Sequence, residues 1–235
     1  MALIRENKKV GQDLYLLTVE QVGEAVPGQF YMVRSWGKYP LLSRPVSIFH
    51  QDETTTTFFY RVVGEGTLLL SQSKKGDDLD LQGPYGKGFP MVAGKKLALV
   101  GGGIGTAPLY WTAMALAEQD PANEVTLYLG FETPNEVLSL FQELGVEVRV
   151  QIGGRITEIL ADDAYDAVYT CGPEIMMKKV YERYKDVCPA IYVSMEKHMA
   201  CGVGACLGCT CETKEGNKRT CKDGPVFPGG DVFYE

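Results

Sequence analysis

The stretch at residues 97–117 decides the fold of this chain, and it reads LALVGGGIGTAPLYWTAMALA. It holds no charged residue over 21 positions, which is the length of a membrane-crossing helix. Four glycines at 101–105 and a proline at 108 would break such a helix near its first third. The stretch therefore predicts a buried strand, a tight glycine turn and a helix.

The same alternation continues on the carboxyl side of this stretch. Helices are predicted at 107–118, 136–144 and 174–184, and the last of them opens directly after Pro173. Apolar and β-branched segments give the predicted strands, at 97–100, 125–130, 146–150, 167–170 and 191–194. Strands that alternate with helices are typical of a parallel α/β sheet.

On the amino side, residues 2–91 show a different pattern of short strands between turn residues. The clearest strands lie at 14–22, 29–34, 46–50, 58–63 and 78–81. Their spacing predicts a small antiparallel barrel. The fold class is therefore α/β plus β, in three predicted parts: an N-terminal antiparallel β-barrel at 1–92, a parallel α/β nucleotide-binding domain at 93–194 and a small C-terminal cysteine segment at 195–235.

The composition narrows the classes of function. The formal net charge is -7 and the sequence pI is about 5.0, with no run of lysine or arginine, so nucleic acid is not an expected partner. The first ten residues lack the apolar core of a signal peptide, and seven cysteines suit a reducing compartment. We therefore expect a cytoplasmic protein with no membrane partner. The chain has only two histidines, His50 and His198, so it offers few groups for histidine-based acid–base or metal chemistry.

Four of the cysteines form a C-x4-C-x2-C-x11-C pattern, at Cys201, Cys206, Cys209 and Cys221. The first three have the spacing of plant-type [2Fe-2S] loops, and the small residues between them let the backbone wrap tightly with its N–H groups toward sulfur. Structural zinc is the main alternative, although zinc ribbons favour two C-x2-C knuckles. A disulfide framework is the remaining one. Cys211 could stand in as a ligand, but its spacing fits the pattern less well.

The glycine turn is a candidate nucleotide site, because a strand-to-helix turn presents backbone N–H groups to phosphates. It is not a standard dinucleotide fingerprint, since after Gly101 and Gly103 the third glycine position holds Thr106. A tight turn without a ligand is the alternative. Cys171, before Gly172 and Pro173, could place a thiol at the carboxyl edge of the sheet; packing is the alternative for it and for Cys188. The candidate residues of the turn are Gly101, Gly102, Gly103, Gly105 and Thr106.

The barrel carries a second candidate site. An arginine and a serine flank a proline and a valine at the start of a strand, a pairing that suits phosphate or pyrophosphate, although ordinary solvated surface is the alternative. An aromatic pair, a second arginine and a glycine turn that opens a helix strengthen the anion-binding interpretation. The residues concerned are Arg44, Pro45, Val46, Ser47, Phe59, Tyr60, Arg61, Gly66 and Thr67.

Together these motifs resemble the ferredoxin-reductase family of flavoproteins. The C-terminal block, MACGVGAC at 199–206 and CKDGPVF at 221–227, is similar to one branch of that family, the electron-transfer subunits of NAD-linked dihydroorotate dehydrogenase. The resemblance spans essentially the whole chain, and the cysteine block is its most specific part. It implies FAD on the barrel residues named above, NAD(H) at the glycine turn and [2Fe-2S] on the four cysteines.

The resemblance also implies a partner. In that family, dihydroorotate and FMN bind a separate catalytic subunit, in a heterotetramer of two of each subunit, and the pathway is pyrimidine (UMP) biosynthesis. Electrons would pass from FMN through the cluster singly to FAD and then as a hydride to NAD+, so the chain alone would show only NADH–dye activity. A reductase subunit that links NAD(P)H to ferredoxin, a sulfur compound or a hydrogenase is the leading alternative. The choice between NAD and NADP stays open at this point.

Overall fold

The computed structural model describes residues 1–20 and 23–234. Its N-terminal part is a closed antiparallel barrel with the strand order β1-β2-β5-β4-β3-β6, as predicted. Residues 21 and 22, which the sequence assigned to the second strand, lie outside the described residues. The strands are β1 (Ala2–Gly11), β2 (Leu14–Glu20), β3 (Phe30–Arg34), β4 (Arg44–Gln51), β5 (Thr55–Arg61) and β6 (Asp78–Tyr85).

Strand β1 was not among the clearest predicted strands, and its packing explains why. Two irregularities interrupt its pairing with β2, one between Ile4 and Glu6 and one between Lys9 and Gly11. Such bulges break the two-residue alternation of buried and exposed side chains. Most of the polar side chains between Ile4 and Val10 are exposed, so the apolar signal of the strand is weak. The helix predicted after the glycine turn of the barrel is α1 (Glu65–Gln72).

The second part is a six-stranded sheet in the order β14-β11-β10-β7-β8-β9, in which β14 is Val226–Pro228. All its strands are parallel except β14, so the predicted parallel α/β architecture is confirmed. Its remaining strands are β7 (Lys96–Gly102), β8 (Glu124–Phe131), β9 (Glu147–Ile152), β10 (Ala167–Cys171) and β11 (Ile191–Ser194). The helices are α2 (Ala107–Gln119), α3 (Val137–Gln142) and α4 (Glu174–Tyr184).

The uncharged stretch at 97–117 forms most of β7, the glycine turn and α2. No helix in the part of the chain that the structure describes is both long and apolar enough to span a membrane. Residues after β11 form a hairpin of β12 (Thr210–Thr213) and β13 (Gly216–Arg219), then β14 (Val226–Pro228) and a short helix, α5 (Gly229–Val232). Strand β14 pairs with β11, which attaches the C-terminal tail to the edge of the sheet.

One continuous apolar core joins the barrel to the sheet. The rings of Phe49 on β4 and Tyr110 on α2 stack with centroids 4.1 Å apart. The hydroxyl of Tyr169 on β10 donates to the carbonyl of Pro90, 2.9 Å away, in the segment between the two parts. Because such packing resists deformation, the clefts between barrel and sheet have a defined geometry.

Candidate functional site

The glycine turn between β7 and α2 is pressed against the sheet on one side. A Cβ added at Gly105 would lie 2.5 Å from the backbone of Cys171, and one at Gly102 would lie 2.6 Å from the sulfur of Met176. Gly103 has a φ of +57° and no atom within 4 Å on its open side. The Thr106 hydroxyl closes the turn by donating to the Gly103 carbonyl at 2.9 Å. The turn therefore leaves one face of the backbone open to a ligand.

A cleft of about 300 Å³ lies between the end of β5 and this turn. Arg61 forms its barrel side, and Gly172 with Pro173 forms part of its sheet side. The Cys171 side chain is fully buried, and burial raises the pKa of its thiol, so only the residues after it reach the cleft surface. Glu196, which sequence reasoning did not select, lines the cleft just beyond the carboxyl end of β11. The sequence could have indicated Glu196 by its position directly after a strand of the parallel sheet, because ligands bind at the carboxyl ends of such strands.

A second cleft of about 210 Å³ lies on the other side of Arg61. Gly103 and Ile104 form one side, and Glu132 follows the carboxyl end of β8 on the other. The sequence alone did not identify Glu132, because it lies 31 positions beyond Gly101 and the acidic residue of a dinucleotide fingerprint lies at about 20. The pairing of Gly102 with Gly130 brings the ends of β7 and β8 together and so places Glu132 near the turn.

The barrel site gathers around the first turn of α1. A Cβ added at Gly66 would lie 2.7 Å from Nε of Arg44, so the guanidinium lies directly against the start of the helix. The Thr67 hydroxyl accepts from the backbone N–H groups of Val63 and Gly64 and donates to the Gly64 carbonyl. A helix N-terminus beside a guanidinium attracts anions. The chemistry of these residues fits a pyrophosphate.

The other barrel candidates divide between surface and core. Val46 and Ile48 belong to the barrel core, so Ser47 between them points outward, as Phe49 does. Phe59 packs against Phe49 in the core between barrel and sheet. Tyr60 stacks on Tyr15, and its hydroxyl donates to Asn7. Both aromatic side chains are committed to packing, so a ligand at 59–61 would meet their backbone and the exposed Arg61 side chain.

The cysteine loop places its cysteines in two pairs, Cys201 beside Cys206 and Cys209 beside Cys221, and in each pair the backbone N–H of the later residue contacts the sulfur of the earlier one. Among the described residues, no three histidine, cysteine, aspartate or glutamate side chains converge on a position for one metal ion. Two pairs of thiolates are the ligand arrangement of a binuclear iron-sulfur cluster with four cysteines. The donor set fits [2Fe-2S].

Backbone N–H groups point at these sulfurs, as the sequence predicted. Cys206 N donates to the sulfur of Cys201, Gly208 N to that of Cys206 and Cys221 N to that of Cys209, each at 3.4 Å. The hydrogen bond from the Cys206 backbone, with those of Val203 and Ala205, lowers the pKa of Cys201 to about 6. Because metals bind the thiolate form, these hydrogen bonds favour metal binding at Cys201, whereas burial raises the pKa of Cys221 to about 12.

The other three cysteines lie apart from this group: Cys171 is the buried residue of β10 described above, and Cys211 and Cys188 lie in a second core. Cys211 is buried in the core beneath the sheet with Val193 and Met195, and its thiol donates to the Glu212 carbonyl. Cys188 belongs to the same core and donates to the Ala190 carbonyl. Neither side chain packs with the four thiols that the spacing selected.

The cysteine loop packs against the barrel. A Cβ added at Gly202 would lie 2.8 Å from Met32 on β3 and 3.1 Å from Tyr85 at the end of β6. Cys209 and Cys221 share a small core with Phe30 and Met32. The group of four thiols is therefore held on the barrel, the part that carries the predicted flavin site.

The fold and these sites define a ferredoxin-reductase-like flavoprotein with an added iron-sulfur segment. Residues 196–233 match the model of the iron-sulfur cluster binding domain of dihydroorotate dehydrogenase B. The chain is 42% identical to the electron transfer subunit of dihydroorotate dehydrogenase B (NAD(+)) of Clostridium acetobutylicum, over 98% of this chain and 95% of that protein. The same subunit of Caldanaerobacter subterraneus is 38% identical, over 99% and 98%. The chain belongs to this family of electron transfer subunits.

Solved structures of other proteins share this fold. A protein described in work on flavin-based electron bifurcation, an NADH-dependent reduced ferredoxin-NADP oxidoreductase, is 28% identical, with a TM-score of 0.88 over 99% of this chain and 89% of that one. A ferredoxin reductase of carbazole 1,9a-dioxygenase is 21% identical, with a TM-score of 0.69 over 82% and 67%. The second likeness supports the fold alone.

Proposed function

We propose that this chain carries electrons between NAD(H) and a partner subunit that oxidises dihydroorotate. FAD would bind at Arg44 and the first turn of α1, NAD(H) at the glycine turn, and [2Fe-2S] on the two thiol pairs. When bound, the flavin supplies hydride exchange with the nicotinamide and single-electron exchange with the cluster. The oxidation of dihydroorotate that this chain would serve belongs to pyrimidine biosynthesis.

One observation carries the proposal: the barrel contacts both other sites. On one side Arg61 faces the glycine turn across the cleft of about 300 Å³. On another side Met32 and Tyr85 support the cysteine loop. A flavin held by the barrel would therefore lie between the two other sites, which is the order that conversion of hydride to single electrons requires.

Neither His50 nor His198 is placed to act as a base toward a dihydropyrimidine. His50 packs edge-on against Tyr110 and Trp111, and burial lowers its pKa. His198 is exposed and lines neither cleft between barrel and sheet. General base catalysis needs a group within hydrogen-bonding reach of the proton. We infer that the substrate site belongs to the partner, an FMN-containing catalytic subunit, in an assembly of two copies of each chain.

The test is dihydroorotate-dependent reduction of NAD+ by this chain with and without the catalytic subunit of the same organism. We expect turnover only from the two chains together, while the isolated chain oxidises NADH with an artificial dye. Equal activity from the isolated chain would overturn the proposal. The likeness to a ferredoxin-linked oxidoreductase favours one second candidate, a ferredoxin-linked reductase subunit. Such a subunit would reduce ferredoxin with NADH and would show no activity with dihydroorotate.

We expect Arg44→Ala to weaken FAD binding by about 1.5–3 kcal/mol, the contribution of a hydrogen bond to a charged group. The reason is the contact of its guanidinium with the start of α1. Flavin titration of the apoprotein measures the change. Chromatography of the released flavin identifies it, and recovery of FMN alone would contradict the assignment.

Arg5→Ala is the matched control for this experiment. Arg5 lies on β1 of the same barrel and forms a surface ion pair with Glu20 at 2.7 Å. Since exposed pairs contribute about 0–1 kcal/mol to stability, this control should bind FAD as the unchanged protein does. A similar loss in both variants would assign the effect to net charge instead of the site.

Glu132 supports a preference for NAD(H), because a carboxylate at the end of the second strand of such a domain accepts from the ribose 2′-hydroxyl and repels a 2′-phosphate. Glu132→Gln should raise the KM for NADH about tenfold, the loss of about 1.4 kcal/mol, and improve use of NADPH. Steady-state dye reduction with both nucleotides measures this. Glu124→Gln, at the opposite end of β8, should change neither value. An unaltered NADH to NADPH ratio in the Glu132 variant would contradict the prediction.

A further inference from the structure

An ion pair closes the backbone around Cys221. The Arg219 guanidinium donates to both carboxylate oxygens of Asp223, from Nε at 2.9 Å and from Nη2 at 3.0 Å. The Arg219 backbone N–H donates to the same carboxylate at 2.8 Å. In return, the Arg219 carbonyl accepts from the backbone N–H groups of Lys222 at 3.0 Å and Asp223 at 2.7 Å. Two charged side chains and their own backbone thus fix the turn that carries the fourth cysteine.

This closed turn is joined to the rest of the cysteine loop. Cys221 N donates to the sulfur of Cys209, and Thr220 N donates to the Cys209 carbonyl at 3.0 Å. A Cβ added at Gly204 would meet the side chain of Lys222 at 3.0 Å and that of Arg219 at 3.4 Å. The ion pair therefore lies at the edge of the thiol group and supports both of its pairs.

The electrostatic environment agrees with this geometry. The guanidinium and the carboxylate form a charged, half-buried pair, with 34% and 26% of their side-chain surfaces exposed. Arg219 stands two residues before Cys221 and Asp223 two residues after it, so both charges lie close enough to the cysteines to act on charge that resides there.

We propose that Arg219 and Asp223 are a positioning pair that holds Cys221 and sets the reduction potential of the cluster by two opposed charges. The inference rests on the proposed function, because it requires iron-sulfur on these thiolates. Each reduction adds one electron, and so one negative charge, to the group that the thiolates hold. The Arg219 cation favours that added charge and the Asp223 carboxylate disfavours it, so outer residues tune the potential.

The opposed signs make the proposal testable. Arg219→Gln should lower the midpoint potential of the cluster, because Asp223 is left without its cation. Asp223→Asn should raise it, because the Arg219 cation is left uncompensated. Arg219→Lys keeps the charge but loses the two-point contact, so it should keep the potential and lower only iron retention. Potentiometric titration with dithionite, followed by the electron paramagnetic resonance of the reduced cluster, measures the potential independently of turnover.

A second ion pair of the same segment provides matched controls. Lys214 Nζ lies 2.7 Å from a carboxylate oxygen of Asp231. Thr210 pairs with Arg219 in the hairpin of β12 and β13, and Lys214 is four residues further, about 13 Å at about 3.3 Å per residue. Lys214→Gln and Asp231→Asn make the same changes in net charge as the two test variants. Because Lys214 lies at the far end of the hairpin from Arg219, the two control variants should shift the potential less than the two test variants do.

The outcomes separate this inference from the proposed function. Zinc in place of iron in the unchanged protein would remove the proposed function and this inference with it. With iron present, shifts of the same sign in the Gln and Asn variants, or shifts equal to those of the Lys214 and Asp231 controls, would overturn only the inference. Complete loss of iron from Arg219→Lys as well would mean that the pair only holds the backbone in place. It would overturn the effect on the reduction potential that we assign to the two charges.

Discussion

Replacement of any one of Cys201, Cys206, Cys209 or Cys221 by serine will remove most of the iron and acid-labile sulfide from the anaerobically purified protein. Turnover with the catalytic partner will fall at least about 10- to 100-fold, the loss that even outer-shell changes produce at metal sites. NADH oxidation by dyes will remain, since it depends on the barrel and the glycine turn. Iron and sulfide analysis, together with the two activity assays, measures these changes.

The physical reason lies in the thiol pairs. Each sulfur has its place in the loop, and three of them accept a backbone N–H at 3.4 Å. A serine hydroxyl is shorter, harder and deprotonated only at high pH, so it cannot replace a thiolate that binds iron. Loss of one ligand also leaves the remaining three without the geometry that four provide.

Cys211→Ser is the control, because Cys211 is a buried cysteine only two residues from Cys209 yet belongs to a different core. It should keep its iron, as Cys171→Ser and Cys188→Ser should. A Cys211 variant that loses iron while the Cys209 variant keeps it would reassign the third ligand. Zinc in place of iron would refute the assignment of the whole site.

Glutamate at Val203 or Leu207 should cut NAD-linked turnover with the partner while sparing NADH oxidation by dyes. Both side chains extend into solvent from the cysteine loop, with 50% and 61% of their surface exposed. Leu207 holds this position with a φ of +60°, a backbone conformation that non-glycine residues seldom adopt. Since electron transfer needs the two redox centres close together, the partner must cover this loop. Burying a charge in place of one such side chain should weaken association at least about tenfold, from a loss of about 1.5–3 kcal/mol.

Val187→Glu is the matched control for this surface. Val187 is 61% exposed and lies just before the amino end of β11. The cysteine segment leaves from the carboxyl end of the same strand. Sedimentation of the mixed subunits will report association, and dihydroorotate-dependent NAD+ reduction will report function. Normal association of both loop variants with the catalytic subunit would place the interface elsewhere.

The sequence predicted the elements with strong periodicity or punctuation. The barrel, the parallel sheet, the helix after Pro173 and the strand before Gly101 were all found, with bounds that moved by a few residues. Strand β1 was missed because its bulges and exposed charges hide the alternation of a strand. Helix α3 is shorter than predicted, at Val137–Gln142, because apolar spacing continues past the point where the backbone leaves the helix.

The candidate site residues also differ in how far the sequence alone could identify them. Spacing along the chain was enough to select four of the seven cysteines, since a tight loop must bring nearby thiols together. It could not assign Cys211, whose side chain is turned into the sheet domain by strand alternation on β12. Phe59 and Tyr60 were selected as cofactor-binding candidates; Phe59 is buried between barrel and sheet and Tyr60 in the core of the barrel, which spacing along the chain does not reveal.

What the sequence determined by itself was local: the strand, turn and helix around Gly101 to Gly105, the cysteine loop, and the chemistry that each can offer. Only the tertiary structure decided what lies beside what. It brought Glu132 to the glycine turn through the pairing of β7 with β8, and it set Gly202 against Met32, about 170 residues away in the chain. Backbone geometry and spacing act over a few residues, whereas sheet pairing and core packing join residues at any separation, so the order of the sites became visible only in the folded chain.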